Sequence, residues 1–251
     1  MEKRLNKFLA DSGYCSRREA DRLIEEGRVS VNGRKGVLGD KITPDMTVQV
    51  DGKTLSGDGE KVYILLNKPA GIVCTADTRE PMNVVDYLNY PVRIYPVGRL
   101  DKDSEGLLLL TSDGEIVNRL LRAAGGHEKE YEVMVDRPLT AEFMNAMASG
   151  VHLPILEVKT LPCRLRRTGE RSFNIILVQG LNRQIRRMCQ ALGYNVVSLR
   201  RIRIMNLRLG KMQPGQWREV TDEERNQLLA ALAEKERGTQ GALPLEPCQR
   251  G

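Results

Sequence analysis

Residues 97–111 read VGRLDKDSEGLLLLT, a polar, glycine-bracketed and charge-dense segment that runs directly into four consecutive leucines. The pattern predicts a loop feeding a buried strand over Leu107 to Thr111. Loops of this kind are where a rigid scaffold displays reactive groups. Asp101 and Asp103 flank Lys102, with Arg99 nearby. On spacing alone, a solvated charged turn is the simpler reading of the loop.

Working outward, residues 62–66, 131–135, 173–178 and 196–204 have the same strand texture. Helical spacing appears between them: Ile116, Val117, Leu120 and Leu121; Phe143, Met144 and Met147; Ile185, Met188, Cys189 and Leu192. This alternation predicts mixed α and β around one sheet. Thr221 and Glu224 form a capping box that opens a further helix carrying Leu228, Leu229 and Leu232 on one side. Residues 237–251 read as a disordered tail.

The first residues have a different organisation. Leu5, Phe8 and Leu9 mark a short amphipathic helix stopped by Ser12 and Gly13. Ser16 and Glu19 form the capping box of a second helix, with Ala20, Leu23 and Ile24 inward, Arg17, Arg18 and Arg22 outward, and Gly27 at its C-terminal end. Strand and turn signals follow at Val29 to Val31 with Asn32-Gly33, and over residues 45–55 with Asp51-Gly52. Two helices and a small sheet make a compact module, residues 1–58. The small polar stretch SGDGE, residues 56–60, links it to a larger domain spanning residues 62–236. The expected fold class is α+β.

A length of 251 residues allows a small domain joined to a larger one, and 41% hydrophobic with 29% charged residues is a globular mix. The net charge is +6, but residues 164–211 hold twelve basic residues against the single acid Glu170. That window is +11 and the rest of the chain −5, so a polyanion would be drawn to the window first. Five scattered cysteines without a C-x-x-C pair argue against a disulfide framework or zinc ribbon and fit a reducing compartment. No run approaches the roughly 18 apolar residues that would span a bilayer. The start of the chain, MEKRLNKFLADSG, lacks the apolar centre of a signal peptide. A soluble, cytoplasmic, monomeric protein is the expectation.

Only His127 and His152 are present, and neither has a partner at metal-ligand spacing; no phosphate-cradling or dinucleotide glycine motif occurs. The chemistry is expected to need no metal and no cofactor. Arg183, Arg186 and Arg187 stand opposite an apolar helical stripe, and such a face either solubilises a helix or holds phosphates and carboxylates. Tyr131, between Glu130 and Glu132 in a strand, is either a packed tyrosine or a stacking surface for a base.

Taken together, four segments resemble one family: LLNKPAGIVCT (65–75), VGRLDKDSEGLLLLT (97–111), HEKEYEV (127–133) and LVQGLNRQIRRMCQALGY (177–194). They are similar to the pseudouridine synthases of the RsuA type, which act on ribosomal RNA, and the wording is most similar to the RluF branch acting on 23S rRNA. Residues 4–33, RLNKFLADSGYCSRREADRLIEEGRVSVNG, resemble an S4 RNA-binding module. The resemblance implies a synthase domain on a mixed, largely antiparallel sheet flanked by helices. It also implies a ribosomal RNA stem-loop as partner, leaving open whether a tRNA is a substrate too, and isomerisation of uridine by base flipping without cofactor.

On the residues, the resemblance implies that Asp101 is the essential aspartate and that Arg99 occupies the space of the flipped base. It further implies that Tyr131 stacks on the uracil, Leu177 packs near it and Arg186 pairs with Asp101. Arg183 and Arg187, together with Arg4, Lys7, Arg17, Arg18 and Arg22 of the N-terminal module, are the expected RNA contacts. A non-catalytic assembly factor would keep the basic window and the module; Asp101, Tyr131 and Arg186 are what separate the two readings.

Overall fold

The four leucines 107–110 are fully buried at the centre of a nine-stranded sheet. The computed structural model describes residues 2–55, 61–77, 79–121 and 126–240. The expected linker at 56–60 and the tail beyond 240 lie outside the described residues.

The N-terminal module runs β1 (Lys3–Arg4), α1 (Leu5–Asp11), α2 (Arg17–Glu25), β2 (Val29–Val31), β3 (Arg34–Lys35), β4 (Lys41–Ile42), β5 (Val48–Val50) and β6 (Lys53–Thr54). Its core is its own cluster, in which Leu5, Leu9, Leu23 and Ile24 pack against Val29 and Val48. Ser16 caps α2 by accepting the Glu19 N–H (3.0 Å), and Gly27 supplies the left-handed residue that ends the helix (φ 74°).

The larger domain contains β7 (Tyr63–Lys68), α3 (Val84–Leu88), β8 (Tyr95–Val97), β9 (Glu105–Thr111), α4 (Gly114–Leu121), β10 (Lys129–Val135), α5 (Ala141–Ser149), β11 (His152–Leu153) and β12 (Val158–Lys159). It continues with β13 (Arg164–Arg167), β14 (Ser172–Leu177), α6 (Gln184–Ala191), β15 (Val196–Ile204), β16 (Leu207–Arg208), β17 (Trp217–Glu219) and α7 (Asp222–Gln240). The sheet order is β13-β14-β10-β15-β9-β7-β17, with β16 on β15 and β8 on β9. Every pairing is antiparallel except β15 with β9. The molecule is therefore α+β, with a mixed, largely antiparallel sheet and flanking helices.

Side-chain alternation along β9 divides its leucines between two cores. Leu107 and Leu109 join Ile116 and Leu120 of α4 and Leu228 and Leu232 of α7. Leu108 and Leu110 face the other way, onto Val84 and Leu88 of α3. A third cluster, from Phe143 and Met147 of α5 and Ile185, Met188 and Cys189 of α6, covers β10 and β14. Burying each such side chain contributes about 1.5 to 3 kcal/mol, so the leucine run is fixed in register from both faces. The Thr221–Glu224 box forms reciprocally, Glu224 N–H to Thr221 Oγ1 (3.2 Å) and Thr221 N–H to Glu224 Oε2 (3.0 Å).

Several expectations are corrected. β14 ends at Leu177, leaving Val178 in a loop, and α7 continues past residue 236 to Gln240; Arg4 lies on β1. The basic window is not one surface. Arg200 pairs with Glu132 (2.5 Å), Arg203 with Glu130 (2.9 Å) and Glu128 (3.1 Å), and Arg164 with Glu128. Arg201 is buried, its Nε donating to the Leu107 carbonyl (2.7 Å). The neutralising glutamates come from β10 and the residue before it, more than thirty residues upstream of Arg164 in the chain, which is why a local charge count missed them.

Candidate active site

Leu100 anchors the loop between β8 and β9. It is buried with Ile72, Ile94 and Leu108, and its N–H donates to Cys74 Sγ (3.3 Å). With that apolar residue held inside, its neighbours stay near the surface: Arg99 is exposed and the Asp101 side chain is 28% exposed. A turn closed by the Ser104 N–H on the Asp101 carbonyl (3.1 Å) then leads into β9.

Lys68, the last residue of β7, lies fully buried under this loop. Its ammonium donates to the carbonyls of Pro69 (2.7 Å), Ile72 (2.9 Å) and Lys102 (3.4 Å). The Gly71 N–H donates to the same Lys102 carbonyl (2.7 Å), so the 69–72 turn and the Asp101 loop are tied together. Burial pushes the Lys68 pKa below the ordinary lysine value, against the opposing pull of Cys74 and the carboxylates of Glu105, Asp103 and Asp101.

The second wall comes from α6. Ile185, Met188 and Cys189 turn into the core, which leaves the arginines on the opposite side. Arg183 sits at the N-cap in the left-handed region (φ 50°, ψ 34°). Its Nη1 lies 3.5 Å from Asp101 Oδ2 and 3.3 Å from Asp103 Oδ1. Arg186 places Nε 3.9 Å from Asp101 Oδ2 and donates through Nη2 to Ser104 Oγ (3.2 Å) and the Asp103 carbonyl (3.3 Å). Its side chain is only 15% exposed, against 42% for Arg183. Burial disfavours the Asp103 carboxylate, but the Arg183 hydrogen bond and the Arg186 charge outweigh it and hold its pKa below the ordinary range. Arg187 turns back onto its own loop, donating to Asn182 O (3.0 Å) and Oδ1 (3.1 Å).

Between these walls lies a cavity of about 90 Å³. Asp101, Arg99 and Arg183 are at its edge, with Tyr131, Leu177, Ile185 and Leu199 among its apolar lining. Tyr131 packs against both the α6 core and the α3 core, so its ring is held where the two meet. A wider cavity of about 610 Å³ shares Arg99, Asp101 and Arg183 and extends over Gly71, Cys74 and Lys102. The arrangement presents one carboxylate, two guanidiniums and an aromatic ring around a space of nucleobase dimensions.

Comparison with known proteins shows the family. The family described as RNA pseudouridylate synthase matches residues 62–191, and the S4 domain family matches residues 3–52. The dual-specificity RNA pseudouridine synthase RluF of Escherichia coli is 50% identical over 88% of this chain and 76% of its own length. The chain belongs to the RNA pseudouridylate synthase family. The ribosomal large subunit pseudouridine synthase B of Bacillus subtilis is 38% identical over 90% of this chain and 96% of its own. A crystal structure of a pseudouridylate synthase superposes with a TM-score of 0.66 at 30% identity, covering 90% of this chain and 99% of that one. The protein is an RNA pseudouridine synthase with an N-terminal S4 domain.

In this synthase, Asp101, Arg99, Tyr131, Leu177 and Arg183 line one pocket, with Arg186 reaching Asp101 from behind. Arg4, Lys7, Arg17, Arg18 and Arg22 lie on the S4 domain; Arg22 is engaged by Glu19 of α2 (2.5 Å) and by Glu26 at its C-cap (3.7 Å). The contact of Arg183 with Asp101, the Ser104 anchor of Arg186 and the Lys68 clamp were not read from the sequence. A lysine closing an otherwise apolar strand in LLNKPAG was the available signal for the clamp. His127 is buried, with Nε2 3.1 Å from the Arg119 carbonyl. Among the described residues, no group of three or more His, Cys, Asp or Glu could hold a metal ion, and no helix is long and apolar enough to cross a membrane.

Proposed function

We propose that this synthase converts a specific uridine of ribosomal RNA, in 23S rRNA, to pseudouridine, with a tRNA as a second candidate substrate, and that Asp101 is its essential group. The observation that carries this reading is the Asp101 carboxylate held by Arg183 and Arg186 at the mouth of a pocket lined by Tyr131 and Leu177. The names of the relatives, one for dual specificity and one for the large ribosomal subunit, support the choice of RNA.

A uridine within a stem is out of reach and must be flipped into the pocket. There the Tyr131 ring stacks on it and Leu177 packs beside it, while Arg99 fills the space vacated in the RNA. The N1–C1′ bond breaks, the uracil turns, and C5 bonds to C1′; N1 gains a proton and C5 loses one, so the product is an isomer. Asp101 acts on the sugar, as nucleophile at C1′ or as base for the 2′ proton, and both roles need its charged form. The two guanidiniums, 3.5 and 3.9 Å away, complement that charge.

Residues 62–236 form the catalytic domain in this reading, and residues 1–58 the RNA-binding one. Arg4, Lys7, Arg17, Arg18 and Arg22 of the S4 domain, with Arg183 and Arg187, contact phosphates and position the RNA without reading bases. The protein acts as a monomer.

Chemical mapping of pseudouridine across rRNA and tRNA tests this. It compares cells with the wild-type gene, without it, and with Asp101→Asn only. Loss of the same mark in both deficient strains is the expected result. A complete set of marks in the Asp101→Asn strain would remove Asp101 from the mechanism.

A further inference from the structure

Gln179, in the loop between β14 and α6, lines the small pocket together with Asp101, Tyr131 and Leu177. Its amide is oriented by two donors on one atom. The Leu161 N–H donates to Gln179 Oε1 (3.1 Å), and Gln184 Nε2 donates to the same oxygen (3.3 Å). The Gln184 amide is fixed in turn: it is 4% exposed, and the Leu181 N–H donates to its Oε1 (3.1 Å). A backbone N–H can only donate, so both amides have their oxygen and nitrogen ends decided by the chain itself. This leaves Gln179 Nε2, on a half-buried side chain, as a donor with no partner among the described residues.

Uracil and cytosine differ at position 4, where uracil carries an accepting carbonyl and cytosine a donating amino group. A donor locked in the pocket is satisfied by the first and left facing another donor by the second. We propose that Gln179 Nε2 donates to O4 of the target uracil and is a specificity-determining residue of this synthase. The assignment rests on the reading of the pocket beside Asp101 as the target-base pocket. Its force comes from the locked orientation: the amide cannot turn to offer its oxygen to an amino group without abandoning Leu161 and Gln184. A site built around such a contact discriminates by leaving its own polar group unpaired with the wrong base.

The test uses the full-length protein and an rRNA stem-loop containing the modified position, synthesised with uridine, 4-thiouridine or 2-thiouridine there. Gln179→Glu keeps the shape and the oxygen that Leu161 and Gln184 use, and replaces only the donor. Gln179→Met removes the donor without adding charge. Single-turnover rates with uridine are expected to fall about 10- to 100-fold in both variants, the cost of leaving the uracil O4 unpaired in the closed pocket. The 4-thiouridine penalty of the wild type is expected to shrink to within about 2-fold, because the weak acceptor no longer loses a partner. A general charge effect of Gln179→Glu falls on all three RNAs and cancels in the ratio.

A 4-thiouridine penalty equal in the wild type and both variants, or a penalty that shrinks for 2-thiouridine instead, overturns the assignment. An inactive Asp101→Asn beside an active wild type keeps the site reading in place, so a flat series then sinks the Gln179 assignment alone. A wild type that forms no pseudouridine in these RNAs overturns the site reading and this assignment together.

Discussion

Arg183 and Arg186 reach Asp101 from different depths, with side chains 42% and 15% exposed. Arg186 is held by Ser104, the Asp103 carbonyl and the Val196 carbonyl (3.4 Å). Removing it therefore removes a charge 3.9 Å from Asp101 and also a tie between α6 and the loop that carries Asp101. Arg186→Ala is expected to lower kcat about 100-fold, the scale of a misplaced reacting group, with the fold retained. Arg183→Ala should act more on KM for RNA, and steady-state kinetics of the two variants separate these effects. The family resemblance implied an Asp101–Arg186 pair, and the two lie 3.9 Å apart, whereas the Arg183 contact depends on a φ of 50° that no spacing announces. Lys129 offers a second test at this scale. Burial, aided by Arg201 and Lys235, lowers its pKa from 10.5 to about 8. Below that value the fold carries the full cost of a half-buried ammonium whose Nζ donates to the His127 carbonyl (3.1 Å), and the cost is relieved as pH rises toward the unfolded value, so its contribution to stability improves across this window. Lys129→Met should thus stabilise the protein on the order of 1 to 3 kcal/mol near neutral pH and progressively less on approaching 10.5. Urea midpoints of both proteins at two pH values check this.

At the scale of elements, the loop carrying Asp101 is only as well placed as the start of β9, which pairs in parallel with β15. Gly106 lies opposite Arg201 there. A Cβ at Gly106 would stand 2.3 Å from the Arg201 carbonyl oxygen and 2.5 Å from its nitrogen, at a φ of 107°. Two obstacles coincide, a backbone clash and a conformation that disfavours side chains. Gly106→Ala is expected to destabilise by more than about 3 kcal/mol, seen as a lowered melting temperature with loss of activity. Gly180→Ala, where a Cβ meets nothing within 4 Å, is the structural control. The sequence marked the strong strands because apolar runs such as Leu107 to Leu110 and Phe173 to Leu177 need burial to make sense. β13, with the sequence RLRR, escaped because only Leu165 points toward the core and the strand pairs on one side only, so its charges read as loop. β17 and α3 escaped because three and five residues carry too little periodicity to count.

Over the whole molecule, the +11 window divides into charges with different uses. Arg164, Arg200 and Arg203 meet glutamates of β10 or its approach and stabilise the sheet, whereas Arg183 faces the pocket. The exposed Arg4, Arg17 and Arg18 of the S4 domain, which a count along the chain makes unremarkable, have no ion pair among the described residues of the kind that occupies Arg22. Binding to RNA phosphates releases counterions, so each such contact adds about 0.7 to 0.9 to the slope of log affinity against log salt. Replacing Arg4, Arg17 and Arg18 together by alanine should reduce that slope by about 2 to 3 and leave kcat at saturating RNA unchanged. Arg203→Ala removes a cation from the window itself, yet its charge is already answered by Glu130 and Glu128. It should lower the unfolding midpoint and leave the salt slope within error. A fluorescence titration of labelled rRNA from low to high salt measures both variants. A slope that falls for Arg203→Ala and not for the triple variant would return the RNA surface to the catalytic sheet, where the charge count alone had placed it.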